Sequence, residues 1–305
     1  MKFKDRYVLI GILSANLVAF ICMAVSILIM NMNNEYSGYV LSEFVLVPIL
    51  MGMINAFHWR KNIVTVGDCF AYGFYNLAVV VTLSVFLLKE GAICLVIVSP
   101  LIYIFLMFGI YLGKMMLKSN HNKLNVSIFA ALLSIFAVNL VSATPQTKVV
   151  TDKIIIQASP EQVWKYVVAF PKIEEEPSYW LFKVGLPNPV QSTAEGSFVG
   201  ATRECIFSNG AVFEEVITEL VPNEKLTFEI TSQPDDPEII GHLNILKGAF
   251  ELQDNGDGTT TLIGSSWYDL QIKPSYYFDF WTRSIIKNVH LRVMDHIKEL
   301  SEANI

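Results

Sequence analysis

Two hydrophobic patterns divide the chain. Up to residue 143 apolar residues come in long unbroken runs, and beyond residue 147 they alternate or recur at three- and four-residue steps. A bilayer core of about 30 Å is crossed by roughly 20 apolar helical residues, each rising about 1.5 Å. Five stretches meet that length, over residues 7–30, 39–57, 66–88, 92–112 and 125–143, the last interrupted by Asn125 and Asn139. The first is too long for a signal-peptide core, and Asn31-Met32-Asn33-Asn34 offers no small-residue cleavage site, so it reads as a retained anchor. Residues 1–145 are therefore predicted to form an all-α transmembrane bundle of about five helices.

The second pattern begins after Thr144-Pro145-Gln146. Residues 149–157 are rich in β-branched side chains and predict a strand. Ser159-Pro160-Glu161 then supplies an N-cap and a proline at the first helical position. Val163, Trp164, Val167 and Val168 recur at helical spacing and predict a short helix over 160–169; a second, irregular helical stretch is expected over 173–181. Strands are expected at 197–207, 211–221, 225–232, 243–253 and 259–272, separated by turns that hold Asn209-Gly210, Asn223 and Asn255-Gly256. Residues 233–241, with Pro234 and Pro237, form the longest irregular connection and a candidate lid. The chain closes with a helix over 275–300 whose stripe is Phe278, Trp281, Ile285, Val289, Val293, Ile297 and Leu300. That stripe needs a partner surface, and the antiparallel sheet is the large one available. Residues 146–305 are thus predicted to be a soluble α+β domain in which a curved antiparallel sheet wraps a long C-terminal helix and leaves a tunnel beside it.

Charge changes the picture in two ways. Residues 1–145 hold nine basic and five acidic side chains and residues 146–305 thirteen and twenty-three, so the halves carry about +4 and −10. The acidic half argues against nucleic acid and against charge-driven docking on anionic lipid. In the first half, Lys2, Lys4, Arg6, Arg60, Lys61, Lys114, Lys118 and Lys123 fall on one side of the five spans, and Lys89 alone on the other. Cytoplasmic loops are enriched in Lys and Arg, which predicts a bacterial cytoplasmic-membrane protein with its N-terminus inside and its C-terminal domain extracytoplasmic. Cys22, Cys69, Cys94 and Cys205 show no metal or disulfide spacing, and no metal or cofactor is expected. Gly109 and Gly113 form a GxxxG pair suited to close helix packing within the chain, or with a membrane-protein partner.

The order of elements in the second half resembles the START-like, or SRPBCC, superfamily, which includes polyketide cyclases and the birch-pollen allergens. The residues that carry the resemblance begin with Ile154-Ile155-Ile156 followed by Ala158-Ser159-Pro160-Glu161-Gln162-Val163-Trp164. Gly196 and Gly200 lead into the next strand, Gly210 turns into Val212-Phe213-Glu214-Glu215-Val216, and Leu220 to Leu226 form the following turn. The resemblance implies a helix-grip fold with a cavity for an apolar or amphipathic molecule such as a lipid, sterol, polyketide or aromatic compound. It brings no shared catalytic motif, so it assigns no catalytic residue.

The residues themselves suggest a pocket. Alternation places Arg203 with Ala201, Cys205 and Phe207, and Glu215 with Phe213 and Ile217, so the two charges share a mostly apolar face. They would orient a head group, support acid–base work, or serve as a structural ion pair. Tyr179, Trp180, Phe213, Phe228, Trp267, Tyr268 and Trp281 are the candidate aromatic walls. His290 and His296 flank the helix stripe and read as structural, and no Ser/His/Asp arrangement has a recognisable context. The function expected is a membrane-anchored module that binds a hydrophobic small molecule or lipid. The alternatives are a cyclase- or dehydrase-like enzyme acting on an apolar substrate, and a structural or sensory membrane protein without a ligand.

Overall fold

The computed structural model describes residues 3–32, 42–60, 65–88, 91–119, 146–238 and 243–303. The fifth expected span, the basic positions Lys2, Lys61, Lys89 and Lys123, and His242 lie outside them. The chain divides into two compact units, taken here in turn.

The N-terminal unit consists of α1 (Phe3–Met32), a π-helical turn (Ser42–Leu46) leading into α2 (Val47–Trp59), α3 (Val66–Leu88) and α4 (Ala92–Ser119). Three of these helices contain stretches long and apolar enough to cross a membrane, Arg6–Ser26, Val66–Leu87 and Ala92–Leu117. Within the described part of the second expected span, the structure has an apolar helical stretch of Glu43–Trp59. Pro48 stands in the first turn of α2, the place where its missing N–H costs least. Ala15, Ala19, Met51, Trp59, Leu106 and Ile110 are buried between helices, while Leu17, Ile21, Phe86 and Ile104 point outward. Closest approach is between α2 and α4. A Cβ added to Gly52 would stand 2.2 Å from the Leu106 carbonyl oxygen, and one on Gly109 2.2 Å from that of Ile49. One on Gly113 would lie 2.7 Å from Ala56 Cβ. The GxxxG pair is therefore used inside the chain, where missing side chains let two backbones touch.

The C-terminal unit is a helix-grip fold. Its order is β1 (Gln146–Ile156), α5 (Pro160–Val167), α6 (Trp180–Lys183), β2 (Pro189–Ala194), β3 (Thr202–Phe207), β4 (Val212–Val221), β5 (Lys225–Ser232), β6 (Leu243–Asp254), β7 (Thr260–Leu270) and α7 (Ser275–Glu302). The seven strands form one antiparallel sheet in the order β1-β7-β6-β5-β4-β3-β2. At the start of α5, Ser159 N–H donates to the Gln162 side chain at 3.2 Å, with Pro160 in the first turn. Two expectations need correction. The strand predicted over 197–207 begins only at Thr202, as β3, and pairs in a hairpin with β2, an edge strand the pattern did not predict, where a leading proline is tolerated. The helical stretch expected over 173–181 is one turn, α6, because Pro177 and the run Glu174-Glu175-Glu176 supply neither donor nor apolar stripe.

Register shifts in β4 and β6 bend the sheet around α7. The C-terminal half of α7 packs Val293, Met294 and Ile297 against Ile156, Val163, Val167, Leu226 and Leu262. Its N-terminal half is held by Asp279, whose carboxylate accepts from Tyr268 Oη at 2.7 Å and Arg283 Nε at 3.0 Å and pairs with Lys148 Nζ at 3.1 Å. The buried face of α7 includes Phe278, Ile286, His290, Val293, Met294 and Ile297, a stripe turned by about one residue from the expected Ile285 and Val289.

The α2–α4 contact leaves no room for a side chain. Gly109→Val is expected to cost at least about 1–3 kcal/mol of overpacking. Size-exclusion chromatography of the full chain in detergent should show loss of the monodisperse peak; an unchanged profile and melting temperature would contradict the contact.

Candidate functional site

Between the sheet and the middle of α7 lies a cavity of roughly 190 Å³. Phe170, Phe207, Phe213, Phe228 and Phe250 build much of its sheet side, and Ile285, Ile286, Val289 and Val293 its helix side. Gly248 makes this arrangement possible: a Cβ there would stand 2.4 Å from the Phe228 ring, which lies across β6. The cavity runs to the end of the domain where Leu186, Pro187, Glu238 and Leu243 line it. At that end Asn209 Nδ2 donates to Asp236 at 2.7 Å, and the Gln233 side chain bonds the Leu243 carbonyl and the Ile245 N–H. The described part of the 233–241 connection is thus pinned to the β3–β4 turn and to the start of β6.

Polar side chains interrupt the apolar wall, and Arg203, Glu215, Ser266 and His290 each have a partner. Arg203 and Glu215 face each other on β3 and β4 and form an ion pair only 3–4% exposed. Arg203 Nε also donates to the Val168 carbonyl at 2.8 Å, and its guanidinium carbon lies 4.5 Å from the centre of the Phe228 ring. Burial pushes the Glu215 carboxyl above the usual carboxylate range, and the charge of Arg203 pulls it back. Cys205, in the same wall, has its thiol pushed up to about 12 by burial and by Glu215, so it is no nucleophile at neutral pH. On the opposite side, Ser266 Oγ lies 2.7 Å from His290 Nε2, and His290 Nδ1 lies 2.9 Å from Asp152. Burial holds the His290 ring below its ordinary pKa, against the pull of Asp152, so the imidazole is neutral at pH 7.

Of the residues singled out in the sequence, Arg203, Phe213, Glu215 and Phe228 line the cavity. The others lie elsewhere. Trp267 points to the other face of β7, with Lys247 Nζ 4.5 Å from its ring centre, because neighbours on a strand cannot both point inward. Tyr268 is fully buried but spent on Asp279, and burial raises its hydroxyl pKa. Tyr179, Trp180 and Trp281 form an aromatic cluster where α6 meets α7, with Tyr179 Oη 3.0 Å from Ser284. Asp152, Ser266, Phe170 and Phe250 were not singled out for a site, and His290, a proton-transfer candidate by residue type, reads from the sequence as a structural histidine at the edge of the helix stripe. The signal available for Asp152 was a charge on the inward parity of Val150, Ile154 and Ile156.

A second grouping lies outside the cavity. Glu175, His296 and Glu299 bring ligand-capable atoms within 4.8 Å of one another, with His296 Nε2 3.2 Å from the Pro171 carbonyl and Nδ1 3.6 Å from Glu175.

With the geometry in place, a model of the family described as "Polyketide cyclase / dehydrase and lipid transport" matches residues 147–301. A search of curated proteins finds no match. Among solved structures, a protein from Nitrosospira multiformis is 17% identical over 50% of this chain and 94% of its own, with a TM-score of 0.34. A truncated norcoclaurine synthase from Thalictrum flavum is 14% identical over 52% and 96%, with a TM-score of 0.36. A Mesorhizobium loti protein is 16% identical over 52% and 99%, with a TM-score of 0.35.

Removing one member of the buried ion pair strands the other. Arg203→Met is expected to destabilise the C-terminal unit by about 3–5 kcal/mol, and Arg203→Met with Glu215→Leu to recover most of that loss. Denaturant melts followed by circular dichroism measure both, with Glu215→Leu alone completing the cycle; a double-variant loss equal to the sum of the two single losses would show that the pair is not coupled.

Proposed function

The chain belongs, through residues 147–301, to the polyketide cyclase / dehydrase and lipid transport family, and from that premise we propose that the C-terminal unit is a membrane-tethered module holding a hydrophobic ligand between its sheet and α7. The observation that carries this reading is the apolar cavity itself. Five phenylalanines and a larger set of Leu, Ile and Val side chains surround a space of roughly 190 Å³ in which Arg203 and Glu215 are paired with each other. An engineered apolar cavity of about 150 Å³ takes up benzene, whereas drug-sized sites run to about 300–1,000 Å³. The group seated here is therefore about one aromatic ring or a short aliphatic segment, and a longer lipid would leave the remainder of its chain outside the mouth.

Tethering rests on the N-terminal helices. Leu13, Leu17, Phe86 and Ile104 are 57%, 63%, 76% and 61% exposed, an apolar surface that is costly in water and free of cost in hydrocarbon. The loop charges further favour a cytoplasmic N-terminus and an extracytoplasmic C-terminal unit.

Native mass spectrometry of the full chain, released from detergent after exposure to a membrane lipid extract, is expected to show a discrete adduct. Val289→Trp, which fills the cavity, is expected to abolish it. An adduct that survives the filling, or none in the unaltered protein, would sink the proposal. For sidedness, alkaline phosphatase fused at the C-terminus should be active and green fluorescent protein dark; the reverse pattern would place the domain in the cytoplasm.

A further inference from the structure

The cavity wall holds a serine, a histidine and an aspartate in series. Ser266 is on β7, His290 on α7 and Asp152 on β1, three elements that meet only in the folded domain. Register sets Val150 opposite Ser266 and Asp152 opposite Gly264, so the aspartate and the serine lie diagonally on the same face of the β1–β7 pair. His290 descends between them from the helix, with contacts of 2.7 Å to Ser266 Oγ and 2.9 Å to Asp152. Both lie within the reach expected of a nucleophile bonded to its base and of a base bonded to its orienting group. Position in the wall adds direction. Ser266 and His290 line the cavity, whereas Asp152 stands behind the ring, its side chain 13% exposed.

The chemistry follows from the tautomer. With the ring proton on Nδ1, donated to the Asp152 carboxyl oxygen, Nε2 is left as the acceptor for the Ser266 hydroxyl. We propose that Ser266 is an activated nucleophile, with His290 as its general base and Asp152 as the positioning residue, and that it acts on compact apolar acyl compounds such as esters or thioesters entering the cavity. In this step Oγ bonds to the acyl carbon as its proton passes to His290 Nε2. The carbon–oxygen or carbon–sulfur bond to the leaving group then breaks, and Nε2 returns the proton to the departing alkoxide or thiolate. Water, deprotonated by the same nitrogen, cleaves the acyl-serine and restores the hydroxyl, so that ester and water become acid and alcohol. The cavity size confines the acyl group to about one ring or a short aliphatic chain. Cys205, another side chain of nucleophilic type in the wall, stays protonated, and the Ser265 hydroxyl is bonded to that of Thr151.

This inference rests on the reading of the cavity as a site for apolar molecules, and two probes of similar size separate the two. The full chain in detergent is treated with phenylmethanesulfonyl fluoride, which reports a nucleophile, and separately photolysed with 3-phenyl-3-(trifluoromethyl)diazirine, which reports access alone. Peptide mass spectrometry is expected to find the sulfonyl group on Ser266, with fluoride released, and photoinsertion in the peptide carrying Ile285 to Val293. Ser266→Ala should remove the first label and keep the second. His290→Gln should slow sulfonylation at least about 100-fold, the lower bound of what a general base contributes, with photoinsertion unchanged as its control for folding. In Asp152→Asn, imidazole nitrogen shifts should report loss of the fixed Nδ1–H tautomer along with slower labelling. Photoinsertion without sulfonylation overturns the nucleophile and leaves the binding reading standing. Absence of both labels overturns the two together.

Discussion

A helix laid over a curved sheet is held at its ends and spans a gap at its middle. Here α7 is clamped at one end by the Asp279 carboxylate, which ties it to Lys148 on β1 and Tyr268 on β7. At the other end Val293, Met294 and Ile297 seal it into the apolar core. Bulges in β4 and β6 keep the sheet from flattening against the intervening turns. Ile285, Ile286, Val289 and His290 lie in those turns, which is why they face a cavity rather than a core. The cavity thus follows from how the domain is closed, and its size is set by curvature as much as by side-chain choice.

The same geometry forces charges indoors, and the domain meets that cost by pairing them. Arg203 would be intolerable under α7 without Glu215, and Asp152 is met there by a hydrogen bond from the His290 ring. Each pair joins different elements: the first links β3 to β4, the second β1 to α7. They fix the relative positions of the surfaces around the cavity more specifically than exchangeable hydrophobic contacts could. In the N-terminal unit, close packing does the corresponding job, with Gly52 and Gly109 bringing two helix backbones into direct contact.

Much of this was legible before any coordinates. Unbroken apolar runs marked the long helices, and alternation marked most strands, because those periods are imposed by the backbone itself. The Arg203–Glu215 pairing was readable for the same reason: parity placed both inward, and a short hairpin made them neighbours. Edge strand β2 was not legible, since its proline and polar residues look like a loop when only one side must pair. Naming both Trp267 and Tyr268 as wall residues ignored the alternation that sends one outward. The Asp152–His290–Ser266 series was hidden more deeply. Its members are separated by 138 and 24 residues along the chain, and a one-residue error in the rotation of α7 moves His290 from the face to the edge.

Because the polar groups in the cavity wall bond mainly to one another, the space along the phenylalanine rings, in contrast to the end that Ser266 and His290 line, offers water few partners. Filling it releases little ordered solvent. What a guest gains instead is dispersion contact with the phenylalanine rings and with Ile285 and Val289, which line the cavity. Association in such a space is driven by heat release rather than by the entropy of freed water. Selectivity then follows shape: a guest that leaves a gap of half an ångström along the rings forfeits much of the attraction that a matched one collects.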